Sequence, residues 1–188
     1  MRVCYPGSFD PPTTAHLAIA RAAATAVGAL HVDWVVSRVA LAKEHVQVPH
    51  LDDRVRVLHE VANDHDWLGV VVTEAQLLVD VAAGYDALVM GADKWHQIHE
   101  LGFYDGSAAR RDAAIAALPR PLIVPRDDLH VPDEHVLSVD STTDVSSTLA
   151  RAGRHELMLP AARRFDRDTG AWTEPHRYRR DGSRAVEG

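Results

Sequence analysis

Short apolar runs alternate with longer helical patterns along most of this chain, and this alternation limits its fold more than any other feature. Five runs rich in β-branched residues predict strands, at residues 2–5, 31–37, 69–73, 87–90 and 121–124. Apolar residues at helical spacing predict helices over residues 15–26, 51–61, 108–118, 146–152 and 159–165. Strands separated by helices pair in parallel, so we expect an open α/β sheet with helices on both faces.

The composition fits one domain of this kind and excludes several classes of protein. The chain has 188 residues and a formal charge of -7, so a uniformly basic nucleic-acid binder is not expected. Cys4 is the one cysteine, which excludes an internal disulfide and favours a reduced, cytoplasmic setting. No apolar run reaches the roughly 18 residues of a membrane span. We therefore expect a cytoplasmic protein with neither nucleic-acid nor membrane partners, and a homo-oligomer is left open.

The apolar pattern fades after residue 165. The final stretch, "TEPHRYRRDGSRAVEG", gathers four arginines and has no helical or strand period. We expect a single domain over residues 1–165, followed by a peripheral C-terminal tail over residues 166–188.

The loop "YPGSFDPPTTAH", residues 5–16, joins the first predicted strand to the first predicted helix. In an open parallel sheet, ligands bind outside the carboxyl ends of the strands, which is where this loop lies. Gly7 permits close approach of the backbone, and the helix start directs N–H groups and a positive dipole at an anion. Thr13 and His16 are three residues apart, so both can face the same point. The loop therefore predicts a phosphate site.

Two stretches together resemble the motifs of the nucleotidylyltransferase superfamily. "GSFDPPTTAH" is similar to its first motif, G-x-F-D-x-x-[HT]-x-G-H, with Ala15 in place of the usual glycine. "SSTLAR", residues 146–151, is similar to its S-S-T-x-x-R motif, which opens a late helix. The resemblance implies a single Rossmann-like domain that transfers the nucleotidyl group of ATP, bound with Mg²⁺, to a small phosphorylated acceptor.

The resemblance also implies a role for each motif residue. His16 would stabilise the α-phosphate, Thr13 would contact neighbouring phosphate oxygens, and Arg151 would bind the leaving pyrophosphate. Lys43 and Arg54 resemble basic residues of the family that approach the phosphates. Further contacts to the nucleotide would come from both motifs, at Gly7, Ser8, Phe9, Asp10, Ser146, Ser147 and Thr148.

The stretch "VMGADKW" resembles the end of the fourth strand in nicotinate or nicotinamide mononucleotide adenylyltransferases. In that family the aspartate binds the nucleotide ribose, so Asp93 takes this role and Gly91 leaves room for the sugar; an ordinary helix cap at Asp93 is compatible with it. Trp95, Phe103 and Tyr104 are candidates to stack on a flat acceptor ring. We therefore expect a pyridine mononucleotide as the acceptor.

Other acceptors and a non-enzymatic function stay open at this stage. The S-Y-T-x-x-T-L segment of the pyridine nucleotide enzymes is missing, and "EAQLLVDVAAGYDALVMGAD" stands in its place. That stretch resembles phosphopantetheine adenylyltransferase, which instead ends its fourth strand in R-G-L-R. A cytidylyltransferase acting on a sugar or polyol phosphate is a further alternative, and Ala15 admits a catalytically silent nucleotide sensor. His96 and His99 share a helix face without an evident third ligand, so no protein-held metal is expected.

Overall fold

The computed structural model describes residues 1–38, 48–126, 129–139 and 145–179. In these ranges the strands form one parallel sheet with the order β3-β2-β1-β4-β5. The strands are β1 Arg2–Pro6, β2 His31–Ser37, β3 Leu68–Thr73, β4 Ala87–Gly91 and β5 Arg120–Val124. The predicted parallel sheet is confirmed, and each strand lies within a residue of its predicted bounds.

Helices connect and cover the strands, with bounds α1 Thr14–Val27, α2 Leu51–Ala62, α3 Leu78–Val81, α4 Ala92–Gln97, α5 Ala108–Ala116, α6 Ser147–Arg151 and α7 Pro160–Thr169. Short 3-10 turns lie at Leu101–Tyr104, Asp133–His135 and His155–Leu157. The sequence did not predict α3, because a helix of one turn is too short to show a period. No helix of the described ranges has the length and apolar character of a membrane span.

The sheet is buried on both faces, as parallel sheets usually are. Along β2, Trp34 and Val36 pack into one core cluster, while Val35 packs into the other. The first cluster is covered by α1, α2 and α7, and the second by α3, α4 and α5. Alternate side chains of each strand point to opposite faces, so helices on both sides are required to exclude water.

The strand order places a crevice at the middle of the sheet. The chain runs outward from β1 to β2 and β3, then returns to the other side of β1 with β4 and β5. The order therefore reverses between β1 and β4. Connections leaving these neighbouring strands diverge, and an open α/β sheet binds its ligands at such a point.

The expectation of a peripheral tail is wrong for residues 166–179. α7 continues to Thr169, and the residues after it fold back onto the first core cluster, with Ala171, Trp172 and Tyr178 buried. Asp166 is 1% exposed and accepts hydrogen bonds from the turn that follows α7. Single aromatic residues on turns make these contacts without any period, which is why the pattern did not reveal them. Residues 180–188 lie outside the described ranges.

Candidate active site

A cavity of about 620 Å³ opens at the carboxyl ends of β1 and β4. Its volume falls within the usual range for small-molecule sites. The cavity is lined by most of the site residues predicted from the two motifs and from the end of β4: Gly7, Ser8, Asp10, Thr13, His16, Gly91, Asp93, Ser146, Ser147, Thr148 and Arg151. The fold therefore brings together two segments that are more than a hundred residues apart in the chain.

Thr13 orients the ring of His16 at the start of α1. Thr13 is the N-cap residue, with extended backbone, and its N–H donates to Nδ1 of His16 over 3.0 Å. The Thr13 hydroxyl lies 2.8 Å from the same nitrogen. Because Nδ1 accepts, a neutral ring carries its proton on Nε2. Thr13 is fully buried, so the hydroxyl that was expected to contact phosphate is engaged with the imidazole in this structure.

The side chain of Phe9 anchors the loop in the core of the protein. Its side chain is 1% exposed, stacks on Trp34 at 4.9 Å between ring centroids, and meets the ring of His16 edge-on at 5.1 Å. The expectation that Phe9 contacts the nucleotide is therefore not met by its side chain, which anchors the loop in the core. A Cβ on Gly7 would lie 3.0 Å from the Phe9 ring, so glycine is what allows this close packing.

The second motif begins α6 and is tied to the first. The Ser146 hydroxyl accepts from a backbone N–H of the first turn, an ordinary N-cap. The Ser147 hydroxyl donates to the carbonyl oxygen of Pro11 over 2.9 Å, which joins the two motif segments. Thr148 accepts from the Arg151 guanidinium at 3.3 Å. These contacts set the position of α6 against the first loop.

Asp10 contacts Arg151 of the second motif and Trp172 near the end of the described chain. A guanidinium nitrogen of Arg151 donates to the Asp10 carbonyl and lies 3.7 Å from its carboxylate Oδ2. The other carboxylate oxygen, Oδ1, accepts from the indole N–H of Trp172 over 2.7 Å. Asp10 was expected to contact the nucleotide; its carboxylate instead binds the C-terminal part of the chain.

Arg54 is the most deeply buried cation of the cavity wall. It is 8% exposed, and its Nη1 donates to the carbonyl of Ser8 over 3.0 Å. Within the described part of the chain its Nε has no hydrogen-bond partner. Burial lowers the pKa of this guanidinium, while the negative charge of Asp10 acts in the opposite direction. A buried cation of this kind gains from an anion in the cavity.

Gly91 and Asp93 form the edge of the cavity beyond β4. Gly91, not Asp93, is the N-cap of α4, and Asp93 lies in the first helical turn. A Cβ on Gly91 would collide with the Asp93 carboxylate and would lie 3.4 Å from Nε of Arg126. Glycine at position 91 therefore leaves room for the Asp93 carboxylate, and the sugar contacts expected of the two residues stay a prediction. Arg126, which follows β5, also lines the cavity.

The aromatic candidates divide into two groups. Phe103 and Tyr104 line the cavity, and the Tyr104 hydroxyl donates to the carbonyl of Ile98 over 2.9 Å. Trp95 does not line it and packs edge-on against His99 at 4.8 Å. Apolar side chains complete this wall, among them Leu77, Leu78, Ile115 and Leu118. Leu77 and Leu78 belong to the segment "EAQLLVDVAAGYDALVMGAD", which occupies the place of the missing S-Y-T-x-x-T-L motif.

Lys43 falls in residues 39–47, outside the described ranges. In those ranges no group of three or more His, Cys, Asp or Glu side chains is arranged to hold a metal. His96 contacts the carbonyl of His130 at 2.9 Å, and His99 contacts that of Trp95 at 2.8 Å.

Comparison with known proteins decides the family. The model of the cytidylyltransferase-like family matches residues 4–153, most of the chain. The chain belongs to the cytidylyltransferase-like family. It is a nucleotidyltransferase enzyme, and the resemblance seen in the two motifs is confirmed at the level of the superfamily.

The fold of this cytidylyltransferase-like enzyme recurs in solved structures, of which 82 chains match. One is the Plasmodium falciparum nicotinic acid mononucleotide adenylyltransferase complexed with APC, at 11% identity and a TM-score of 0.55. The match covers 91% of this chain and 96% of that one. At such low identity it shows a shared fold. No curated protein sequence matches the chain.

Proposed function

We propose that this enzyme transfers the adenylyl group of ATP to nicotinate or nicotinamide mononucleotide and releases pyrophosphate. The observation that carries the proposal is the meeting of His16, Arg54 and Arg151 at one cavity beside the sheet's switch point. Three groups able to donate to phosphate oxygens at the site where open α/β sheets bind ligands favour a triphosphate. Burial of Arg54 adds to this, because an anion beside it offsets the cost of desolvating the charge.

The reaction requires no covalent enzyme intermediate. An oxygen of the acceptor phosphate attacks the α-phosphorus of ATP, the bond from that phosphorus to the bridging oxygen breaks, and pyrophosphate leaves with the electron pair. The acceptor phosphate is already anionic, so no general base is needed. Catalysis then depends on alignment of the two phosphates and on stabilising the charge that develops.

Each side chain has a distinct part in this proposal. His16 donates from Nε2 to a non-bridging oxygen of the α-phosphate, and its contact with Thr13 holds the ring in the required tautomer. Arg151 binds the pyrophosphate end with its planar pair of donors. Arg54 holds the loop through the Ser8 carbonyl and supplies positive charge beneath the phosphates. Mg²⁺ enters with ATP as part of the substrate and neutralises phosphate charge.

The acceptor follows from the apolar side of the cavity. Phe103 and Tyr104, together with aliphatic neighbours, form a wall suited to a flat ring. The segment that usually clamps a pyridine ring is absent from the sequence. We therefore expect both mononucleotides to be accepted with little discrimination, because a site without groups matched to a carboxylate or an amide cannot strongly reject the isostere.

The test is pyrophosphate release by the purified protein with Mg²⁺ and either ATP or CTP. Acceptors are nicotinate mononucleotide, nicotinamide mononucleotide, 4'-phosphopantetheine, glycerol 3-phosphate and a sugar phosphate. The proposal expects release with ATP and both pyridine mononucleotides, and loss of release in His16→Ala. Activity with phosphopantetheine alone, or with CTP and a polyol phosphate, contradicts the acceptor and leaves the family assignment intact.

A catalytically silent sensor gives a different result. It binds ATP and releases pyrophosphate with none of the acceptors. Ala15, whose side chain lines the cavity, is the one position of the first motif that favours this alternative. If the protein is silent because of that methyl group, Ala15→Gly restores turnover.

A further inference from the structure

The residues after α7 contact the loop that joins β1 to α1. We call residues 170–179 the C-terminal segment. Within it Trp172 is 4% exposed, and its indole N–H donates to Oδ1 of Asp10 over 2.7 Å. The two residues are 162 positions apart. The family model ends at residue 153, so this contact comes from a part of the chain beyond the shared family region.

The C-terminal segment is held firmly enough to orient a side chain. Asp166, at the end of α7, accepts from the backbone N–H groups of Trp172 and Thr173 at 2.7 and 3.1 Å. It also accepts from the Thr173 hydroxyl over 2.7 Å. Further along, the Tyr178 hydroxyl donates to Asp53 and thereby joins the segment to α2. The Asp166 contacts therefore fix the backbone at Trp172, and the Tyr178 contact joins the far end of the segment to α2.

The Asp10 carboxylate has a second candidate partner close by. Its Oδ2 lies 3.7 Å from Nη1 of Arg151, longer than a hydrogen-bonded ion pair. The Asp10 side chain is 11% exposed, whereas that of Arg151 is 40% exposed and reaches the cavity. A buried carboxylate that loses a donor turns towards the nearest cation, because an unpaired buried charge is costly. For Asp10 that cation is Arg151.

We propose that Trp172 is a positioning residue of the nucleotide site. By holding Oδ1, its indole N–H keeps the Asp10 carboxylate from forming a full ion pair with Arg151. Arg151 keeps its contacts with the Asp10 carbonyl and the Thr148 hydroxyl, and its remaining N–H groups stay available to the triphosphate. This inference rests on the proposed function, in which Arg151 binds the pyrophosphate end of ATP. It assigns the C-terminal segment a part in nucleotide binding.

Trp172→Phe tests the proposal because it removes the indole N–H and keeps an aromatic ring. Binding of α,β-methylene-ATP with Mg²⁺, measured by isothermal titration calorimetry, should weaken by about tenfold or more, because ATP must then break a hydrogen-bonded ion pair between Asp10 and Arg151, and a hydrogen bond between charged groups is worth about that factor. Binding of the acceptor mononucleotide should not change. Tyr178→Phe is the matched control. It removes both hydroxyl contacts of the same segment, to Asp53 and to the His50 N–H, and leaves the hydrogen bond from Trp172 to Asp10 in place. Tyr178→Phe should therefore bind the ATP analogue as wild type does.

Asp10→Asn separates positioning from simple loss of stability. The amide oxygen still accepts from Trp172, but no negative charge remains to capture Arg151. Asp10→Asn should therefore bind the ATP analogue at least as tightly as wild type, and adding Trp172→Phe to it should weaken binding no further. Thermal melts of all variants confirm that the proteins compared are folded.

The outcomes distinguish the two proposals. If wild type binds the analogues of neither ATP nor CTP, both the proposed function and the role of Trp172 are wrong. If wild type binds and Trp172→Phe binds equally well, the role of Trp172 alone is wrong. The same holds if Trp172→Phe still weakens binding tenfold in the Asp10→Asn background, because the carboxylate charge is then not the cause.

Discussion

His16 combines a helix-capping contact with a proposed catalytic contact, and two substitutions separate them. Nδ1 accepts from the Thr13 N–H at 3.0 Å, which leaves Nε2 to carry the proton of the neutral ring. His16→Ala removes both functions. His16→Asn keeps an oxygen close to the position of Nδ1, able to accept from Thr13, but places no donor where Nε2 was.

The expected magnitudes follow from what each variant loses. Removing one preorganised donor to a developing oxyanion lowers kcat by roughly 10²–10³, so both variants should lose turnover on this scale. Loss of a capping contact costs about 1 kcal/mol, which lowers Tm by roughly 2–4 °C in a chain of this size. His16→Ala should show that decrease, and His16→Asn should melt close to wild type.

The assay is pyrophosphate release at saturating ATP and acceptor, alongside thermal melting and direct measurement of ATP binding. ATP affinity should change little, because the contact strengthens mainly in the transition state. His59→Ala, at an exposed position of α2, is the control for a lost histidine. If both His16 variants retain kcat within a few-fold of wild type, the catalytic role of Nε2 is wrong.

Three further predictions address other parts of the molecule. Arg151→Ala should weaken ATP binding without changing acceptor binding, and Arg151→Lys should rescue it only partly, since an ammonium lacks the bidentate geometry; full rescue would contradict the role of the fork. Asp166→Ala leaves two backbone N–H groups unpaired and should cost roughly 2–4 kcal/mol in chemical unfolding, against little for exposed Asp168→Ala. Burial, and after it the negative charge of Asp33, raises the pKa of the Cys4 thiol from 9.0 to about 12. The neutral buried thiol therefore makes its full contribution to the stability of the folded protein below pH 9, and this contribution is lost as the pH rises towards 12. Native Cys4 should therefore react with a thiol reagent at pH 8 only as fast as the protein unfolds, and faster labelling would show an open path to it.

Much of the fold was predictable because its signals are local. The β-branched runs, the helical spacing of α1 and α2, and the serine at Ser146 that caps α6 each depend on residues within a turn or two of one another. The two motif segments likewise carry their meaning in short stretches. Their convergence on one cavity followed from the rule that parallel strands end at the same edge.

Which residues the side chains of the site contact was decided by packing between distant parts of the chain. Phe9 belongs to the first motif in sequence, yet its ring packs on Trp34 and contacts the His16 ring from the core. Asp10 looks like a ligand contact in the motif, yet its carboxylate accepts from Trp172, 162 residues away. No period or spacing encodes such pairs, because they depend on which surfaces meet once the sheet and helices have packed. The local pattern determines the strands, the helices and the loop that carries the first motif. Packing determines which side chains of that loop face the cavity and which are held beneath it, because a buried polar group must find its partner wherever the fold brings one.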